Sequence, residues 1–334
     1  VTDTVLVTGG TGYLAGWCVR ELLRQGYAVR ATVRDLARAD EVLALAEDRS
    51  RLSVVRADLG ADEGWDRAAD GCAYVLHVAS PFPRVAPKDP GALVGPAREG
   101  TLRVLRAAAG AGVTRVVLTS SSSTVGHGRP ARGGALDETD WADPARSRAY
   151  VRSKILAERA AWDFVAERGA RGSLVTLAPS TMIGPVIGAH RSYSVLAVSR
   201  LLDGAMPGLP RLGFSLVDVR DVAALHVRAM TEPAAAGGRF IADAGFRWMT
   251  QIAEVLRARL GPAAARVPSR RLPDLAVRLA ALFDPELRQV IDELGVRTDY
   301  ATTAARTALG WAPRPLDDTI AECAESLVTR RVAA

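Results

Sequence analysis

Apolar positions fall into short runs that alternate between two spacings. Val5, Leu6 and Val7 form an aliphatic run that stops at Gly9, Gly10, Thr11 and Gly12; Leu14, Val19, Leu22 and Leu23 follow at helical spacing up to Gly26. That is strand, tight turn, helix. Residues 27–34 alternate as a second strand, a polar helical stretch covers 36–48, and 52–59 reads as a third strand. After a helix around 62–70, residues 73–80 are apolar enough for a central parallel strand buried on both faces. A proline-rich loop from Pro81 to Pro96 precedes a helix over 96–110 and a strand over 113–119. A loop with Gly126, Gly128, Gly133 and Gly134 leads to a helix from Arg148 through Val165, then to a sixth strand over 173–177. Beyond it the rhythm weakens: 185–215 and 245–334 are rich in Pro, Gly and helical stretches, 216–223 opens a helix, and 239–242 returns as a strand to the main sheet.

This alternation predicts an α/β fold built on a doubly wound parallel sheet, with a smaller, discontinuous C-terminal lobe. The expected division is a nucleotide-binding domain over 1–178 plus about 215–243. A substrate lobe over about 179–214 plus 244–334 would cover it. No internal repeat interrupts the pattern.

Composition narrows the classes. The 334 residues suffice for one large domain or two modest ones, and 49% hydrophobic content is ordinary for a globular protein. No apolar run approaches the ~20 residues of a membrane span, and no charged-then-apolar leader precedes the first strand, so no membrane and no secretory signal are expected. Cys18, Cys72 and Cys323 are few, odd in number and widely spaced, which predicts reduced thiols in a cytoplasmic setting. The four histidines make no metal-ligand spacing with them, so no metal is expected. The net charge of +6 comes from arginines interleaved with Asp and Glu, a solvated surface with no nucleic-acid partner. Lysine occurs only at Lys88 and Lys154, so 41 of the 43 basic residues are arginine. A position that keeps lysine in such a chain points to a need for an amine.

The glycine turn lies where the first strand meets the first helix, the opening of a dinucleotide-binding unit. Two registers fit, Gly10-x-Gly12-x-x-Ala15 and Gly9-x-x-Gly12-x-x-Ala15. Both bring the backbone against a pyrophosphate at the helix start, with Tyr13 and Leu14 its first residues. At the end of the second strand, where a carboxylate would hold a ribose 2′-hydroxyl, stands Arg34, with Arg38 one turn on. A guanidinium clamps a 2′-phosphate, which reads as NADPH/NADP+. The rival is a solvated Arg34 with Asp35 on the ribose. Asp58 and Leu59 end the third strand, where adenine would lie. Val78, Ala79, Ser80 and Thr119 end strands that would line the cofactor groove. His77 reads as a hydrogen-bonded core histidine.

Tyr150 and Lys154 are four residues apart on a helix, so both emerge on one face. An ammonium beside a phenol, together with the positive charge of an oxidised nicotinamide, favours phenolate and brings it toward working range. A serine at a neighbouring strand end would polarise a carbonyl oxygen. Ser121 is the first choice and Ser122 the second, because the run Ser120 to Ser123 leaves the register open by one.

The motifs Val7-Thr8-Gly9-Gly10-Thr11-Gly12-Tyr13, Val33-Arg34-Asp35, Ala57-Asp58-Leu59, His77-Val78-Ala79-Ser80-Pro81, Leu118-Thr119-Ser120-Ser121, Tyr150-Val151-Arg152-Ser153-Lys154 and Val217-Asp218-Val219-Arg220-Asp221-Val222 follow in this order. Together they resemble the extended short-chain dehydrogenase/reductases of the dihydroflavonol reductase-like group, which includes cinnamoyl-CoA reductases and microbial aldehyde and ketone reductases. The resemblance implies a Rossmann-type fold and NADPH-dependent reduction of a small-molecule carbonyl. It also implies a Ser121, Tyr150 and Lys154 triad, with Pro179, Ser180 and Met182 beside the nicotinamide. Two departures stand out. The place where plant flavonoid reductases carry a substrate-binding Asn is Gly126. The aromatic and cysteine-rich stretch of the cinnamoyl-CoA enzymes is absent around Tyr150. Candidates for the substrate wall are Phe82, Gly126, His127, Tyr193 and Phe214, with His127 equally a surface-loop residue. A monomer or homodimer is expected. Rival readings are an NAD-dependent epimerase/dehydratase, a 3β-hydroxysteroid-type dehydrogenase, and a non-catalytic NADP-binding redox sensor.

Overall fold

The computed structural model describes residues 2–81, 91–127, 134–188, 192–284, 288 and 291–332. Its main sheet comprises β1 (Thr4–Val7), β2 (Ala28–Val33), β3 (Leu52–Arg56), β4 (Tyr74–His77), β5 (Arg115–Thr119), β6 (Leu174–Pro179) and β9 (Arg239–Ala242). These seven strands run parallel in the order β3-β2-β1-β4-β5-β6-β9. Strand residues alternate between two cores. Val5, Val7 and Val117 join one cluster; Leu6, Val116 and Leu118 join the other. A sheet buried on both faces needs apolar residues at successive positions, which is why these strands are nearly continuous aliphatic runs.

Helices cover each face. On one, α1 (Tyr13–Arg24) packs against α8 (Val219–Thr231); on the other, α4 (Gly91–Gly110) packs against α6 (Ala149–Glu167). The buried face of α1 is Leu14, Cys18, Val19 and Leu22, the spacing that predicted it. The strand order reverses between β1 and β4. The crevice beyond their carboxyl ends is where ligands bind in such sheets.

A second sheet, β10-β8-β7, joins β7 (Thr181–Ile183), β8 (Gly213–Asp218) and β10 (Gly245–Trp248). Residues 216–218, expected to open a helix, instead end β8. The helix begins at Val219, capped by Asp218, whose Oδ1 accepts from the Arg220 N–H at 2.8 Å. Two other boundaries move. The stretch 36–48 shrinks to a 3-10 turn over Leu36–Arg38 and α2 over Ala39–Leu43, and the helix after the proline-rich loop starts at Gly91 with Pro96 inside it. Shorter elements are α3 (Trp65–Ala69), α5 (Ser123–Gly126) and α7 (Tyr193–Asp203). Among the described residues no helix is long and apolar enough to cross a membrane, and no group of His, Cys, Asp or Glu is placed to hold a metal.

Candidate active site

The carboxyl ends of β1 and β4 are tied by one hydroxyl. Thr8 Oγ1 accepts from the N–H groups of Val78 (3.0 Å) and Ala79 (2.9 Å) and lies 2.9 Å from His77 Nδ1. With two donors already on that oxygen, its proton goes to the imidazole. Burial keeps His77 neutral, pushing it down to about 3. His77 is a core residue. Gly9 has φ +69°, and a Cβ there would stand 3.0 Å from the Ala79 Cβ. Gly12 caps α1 without a side chain, and a Cβ on it would lie 3.1 Å from the Gly9 carbonyl oxygen. Left-handed geometry at Gly9 and close approach at Gly12 both exclude larger residues. A Cβ at Gly10 would crowd the Ala31 Cβ at 3.0 Å. The uncapped start of α1, with no acidic residue in its first turn, is a cradle of free N–H groups suited to a pyrophosphate.

Other positions expected on the groove contribute less than their side chains suggested. Tyr13 and Leu14 are each 5% exposed, and the Tyr13 hydroxyl donates to the Gly184 carbonyl at 2.8 Å. They offer the groove main chain only. Asp35 caps the following 3-10 turn, its Oδ1 accepting from Ala37 N–H at 2.9 Å. Arg34 stands exposed at the end of β2, while Arg38 is fork-bonded to Glu41 at 2.7 and 2.8 Å. Arg38 is thus engaged by Glu41, and one oxygen of Asp35 is engaged in the cap. Asp58 Oδ1 accepts from Gly60 N–H at 2.8 Å, and Leu59 packs against the glycine at position 100.

Beyond β5 the chain presents its serines in different directions. Ser120 turns inward to Glu158. Ser121 hydrogen-bonds the Tyr150 phenol and lies 2.8 Å from the Ser123 hydroxyl. Ser122 faces the Tyr300 phenol instead. Of the two candidate registers, the serine beside Tyr150 is Ser121. Lys154 Nζ donates to the Thr119 carbonyl at 3.0 Å. The Thr119 side chain is occupied by His226 Nε2 at 2.7 Å, so it too offers the groove main chain. Burial raises Tyr150 to about 12 against the lowering effect of Ser121, and burial lowers Lys154 to about 8 against the charge of Glu158. Desolvation is the largest influence on this phenol. Tyr150 is therefore a protonated donor at neutral pH.

The expected substrate wall is only partly assembled. A Cβ on Gly126 would stand 2.1 Å from Leu136 Cδ1, so this glycine is a packing position beneath Leu136. His127 is half-buried facing Arg148 and Asp292, and burial lowers its pKa. Phe214 on β8 is partly buried against the larger core, as is Met182 on β7. Pro179 and Ser180 are buried at the end of β6, with Ser180 N–H donating to the Ala242 carbonyl at 2.9 Å. Phe82 and the Tyr193 side chain lie outside the described residues. Sequence reasoning passed over Arg148, which meets Glu293 at 3.3 Å, and Asp243, which burial raises to about 6. It also passed over Glu158. Only Glu158 carried a local signal, its place one turn beyond Lys154.

Residues 5–242 match the NAD dependent epimerase/dehydratase family. The chain is 35% identical to a cinnamoyl-CoA reductase of Medicago truncatula, over 99% of this chain and 97% of that protein. Among solved structures, yeast methylglyoxal/isovaleraldehyde reductase Gre2 complexed with NADPH superposes with a TM-score of 0.82 at 24% identity, covering 99% of this chain and 100% of that one. A UDP-glucose-4-epimerase from Stenotrophomonas maltophila with bound NAD gives 0.81 at 20% identity, over 99% and 100%. Reductase and epimerase relatives share this scaffold, so the fold alone does not choose between their chemistries.

Proposed function

The chain belongs to the NAD dependent epimerase/dehydratase family, and from that premise we propose that it is an NADPH-dependent reductase of an aldehyde or ketone. The observation carrying this reading is the pairing of Ser121 with a partly buried, protonated Tyr150, with Lys154 one turn on along the same helix face. The 35% identity to a cinnamoyl-CoA reductase over nearly the whole chain supports it. So does NADPH in the Gre2 structure, which shares the fold. The Gly9–Gly12 cradle and the start of α1 would hold the pyrophosphate, and Arg34 the 2′-phosphate. When bound, the reduced nicotinamide supplies a hydride. Ser121 donates a hydrogen bond to the substrate oxygen, and Tyr150 gives that oxygen its proton as negative charge develops. Lys154 holds positive charge beneath the phenol, offsetting the phenolate left behind.

The test follows the absorbance of the reduced nicotinamide across a panel of aldehydes and ketones, with NADPH and NADH in parallel. Turnover with NADPH preferred is expected. Silence across the panel with tight NADP+ binding, or co-purified NAD with epimerase activity, would overturn the reading. Replacing Arg34 with Ala removes one charged clamp, a loss of ~1.5–3 kcal/mol. It is expected to raise KM for NADPH by about 10- to 100-fold while leaving KM for NADH nearly unchanged. Equal losses with both cofactors would place the phosphate elsewhere.

A further inference from the structure

Glu158 is 1% exposed, and four donors converge on it. Its Oε2 accepts from Ser120 Oγ and from Thr124 Oγ1 at 3.0 Å. Its Oε1 accepts from Thr176 Oγ1 at 2.9 Å and from Arg239 Nε at 2.8 Å. Along α6 it is one turn beyond Lys154 and two beyond Tyr150, so the three share one face. Lys154 and Glu158 line the same small cavity, together with Ser80, Thr101 and Ser120. Arg239 is itself 9% exposed; it also donates to the Glu138 and Asp140 carbonyls at 2.7 and 2.8 Å and covers the Trp141 ring at 3.9 Å.

We propose that Glu158, held by Arg239, is a positioning residue for the Ser121, Tyr150 and Lys154 group: it fastens both ends of the serine turn to α6 and supplies the buried negative charge facing Lys154. The first half follows from connectivity. Ser120 and Thr124 bracket Ser121, and both bond one carboxylate oxygen, so the turn carrying Ser121 is pinned on either side. Ser121 itself bonds within the turn, to the Ser123 hydroxyl at 2.8 Å and the Ser123 N–H at 3.3 Å, while its neighbours fasten the turn to α6. The second half follows from the surroundings of the amine. Lys154 bonds the Thr119 carbonyl from β5 and interacts electrostatically with His77 from β4 and with Glu158 from its own helix. His77 is neutral. Glu158 is thus the carboxylate among the groups facing it, and it opposes the burial that lowers the amine. Arg239 offsets part of that charge and fixes where the rest points.

The proposal builds on the reductase reading, but its main test needs neither cofactor nor substrate. Because the chain holds two lysines, biosynthetic labelling with 13C-lysine yields two side-chain signals, and Lys88→Arg identifies which is Lys154. Its titration midpoint is expected near 8 in the parent protein and lower by about one pH unit in Glu158→Gln. Glu158→Asp is expected to keep the midpoint within about 0.3 unit, because the charge stays. Where Glu158→Gln fails to fold, Glu158→Met combined with Arg239→Met removes the ion pair entire, a change buried pairs commonly tolerate. It is expected to show a lowered midpoint as well. A midpoint that stays in place in either folded variant would overturn the proposal. Kinetics supply the second arm, run on the carbonyl that the parent protein turns over. The fall of kcat at alkaline pH is expected to move down with the midpoint in Glu158→Gln, and kcat to drop about 10-fold with KM for NADPH unchanged. A merely structural role would lower stability and leave both profiles where they were. Loss of turnover in the parent protein would sink the reductase reading, while the NMR result would still decide the role of Glu158.

Discussion

Tyr150→Phe is expected to lower kcat for carbonyl reduction by about 10³-fold while leaving NADPH affinity within about twofold. The change deletes one oxygen from a side chain fixed by its helix. Its packing survives, and Ser121 loses one hydrogen-bond partner. What disappears is the proton that the developing alkoxide needs. Water is a poor replacement, because it is not held against the substrate oxygen as the helix holds the phenol. The burial of the phenol explains why the effect belongs to kcat. A group held protonated up to about pH 12 contributes little to the ground state, and its transfer is felt only as charge appears on the substrate oxygen. Stopped-flow turnover with cofactor binding measured separately by fluorescence checks both parts. Retained turnover would remove Tyr150 from the chemistry, and a matching loss of NADPH binding would make it a structural residue.

The second large effect is expected from Lys154→Arg, a substitution that looks conservative in a chain with 41 arginines. Lys154 is 8% exposed, and its amine is a compact donor seated on the Thr119 carbonyl at 3.0 Å. A planar guanidinium is larger and directs its donors along a fixed fork. Fitting it into this space moves α6 or the end of β5, and a displacement of about 1 Å at reacting groups costs about 10²-fold in rate. The pH profile separates charge from shape. The amine is held near 8, so as pH rises through that value the parent enzyme loses its ammonium and its rate falls. The arginine variant keeps its charge throughout. It is therefore expected to be slower at pH 7 by about 100-fold and to lose the alkaline fall. A profile that still falls near pH 8 would assign the limb to another group.

The residues of the proposed site were legible for a simple reason. Strand-end and helix-start positions come from local periodicity, and the parallel alternation places strand ends together. Gly12, Arg34 and Lys154 could be singled out by local cues, a glycine where strand meets helix, a cation where a carboxylate is usual and a lysine among arginines, and Tyr150 by its place four residues before that lysine. The helix boundaries around 36–48 and 216–223 were harder. Both lie where the chain turns between elements, and there capping by Asp35 and Asp218 outweighs the weak periodicity.

The sequence by itself determined the doubly wound architecture, through the alternation of strand and helix patterns, as well as the glycine turn and the spacing of Tyr150 and Lys154, which rest on residues within a turn or two of one another. Only the tertiary structure decided which serine meets Tyr150, that Thr119, Tyr13 and Leu14 offer the groove their backbone, and that Gly126 lies under Leu136. It alone brought Glu158 and Arg239, 81 positions apart, into one ion pair beneath the site. A side chain's partner across the sheet depends on register and on how helices pack over it. Likewise, the acidity of Tyr150 is governed by how much water the whole fold removes, a quantity that no local pattern encodes.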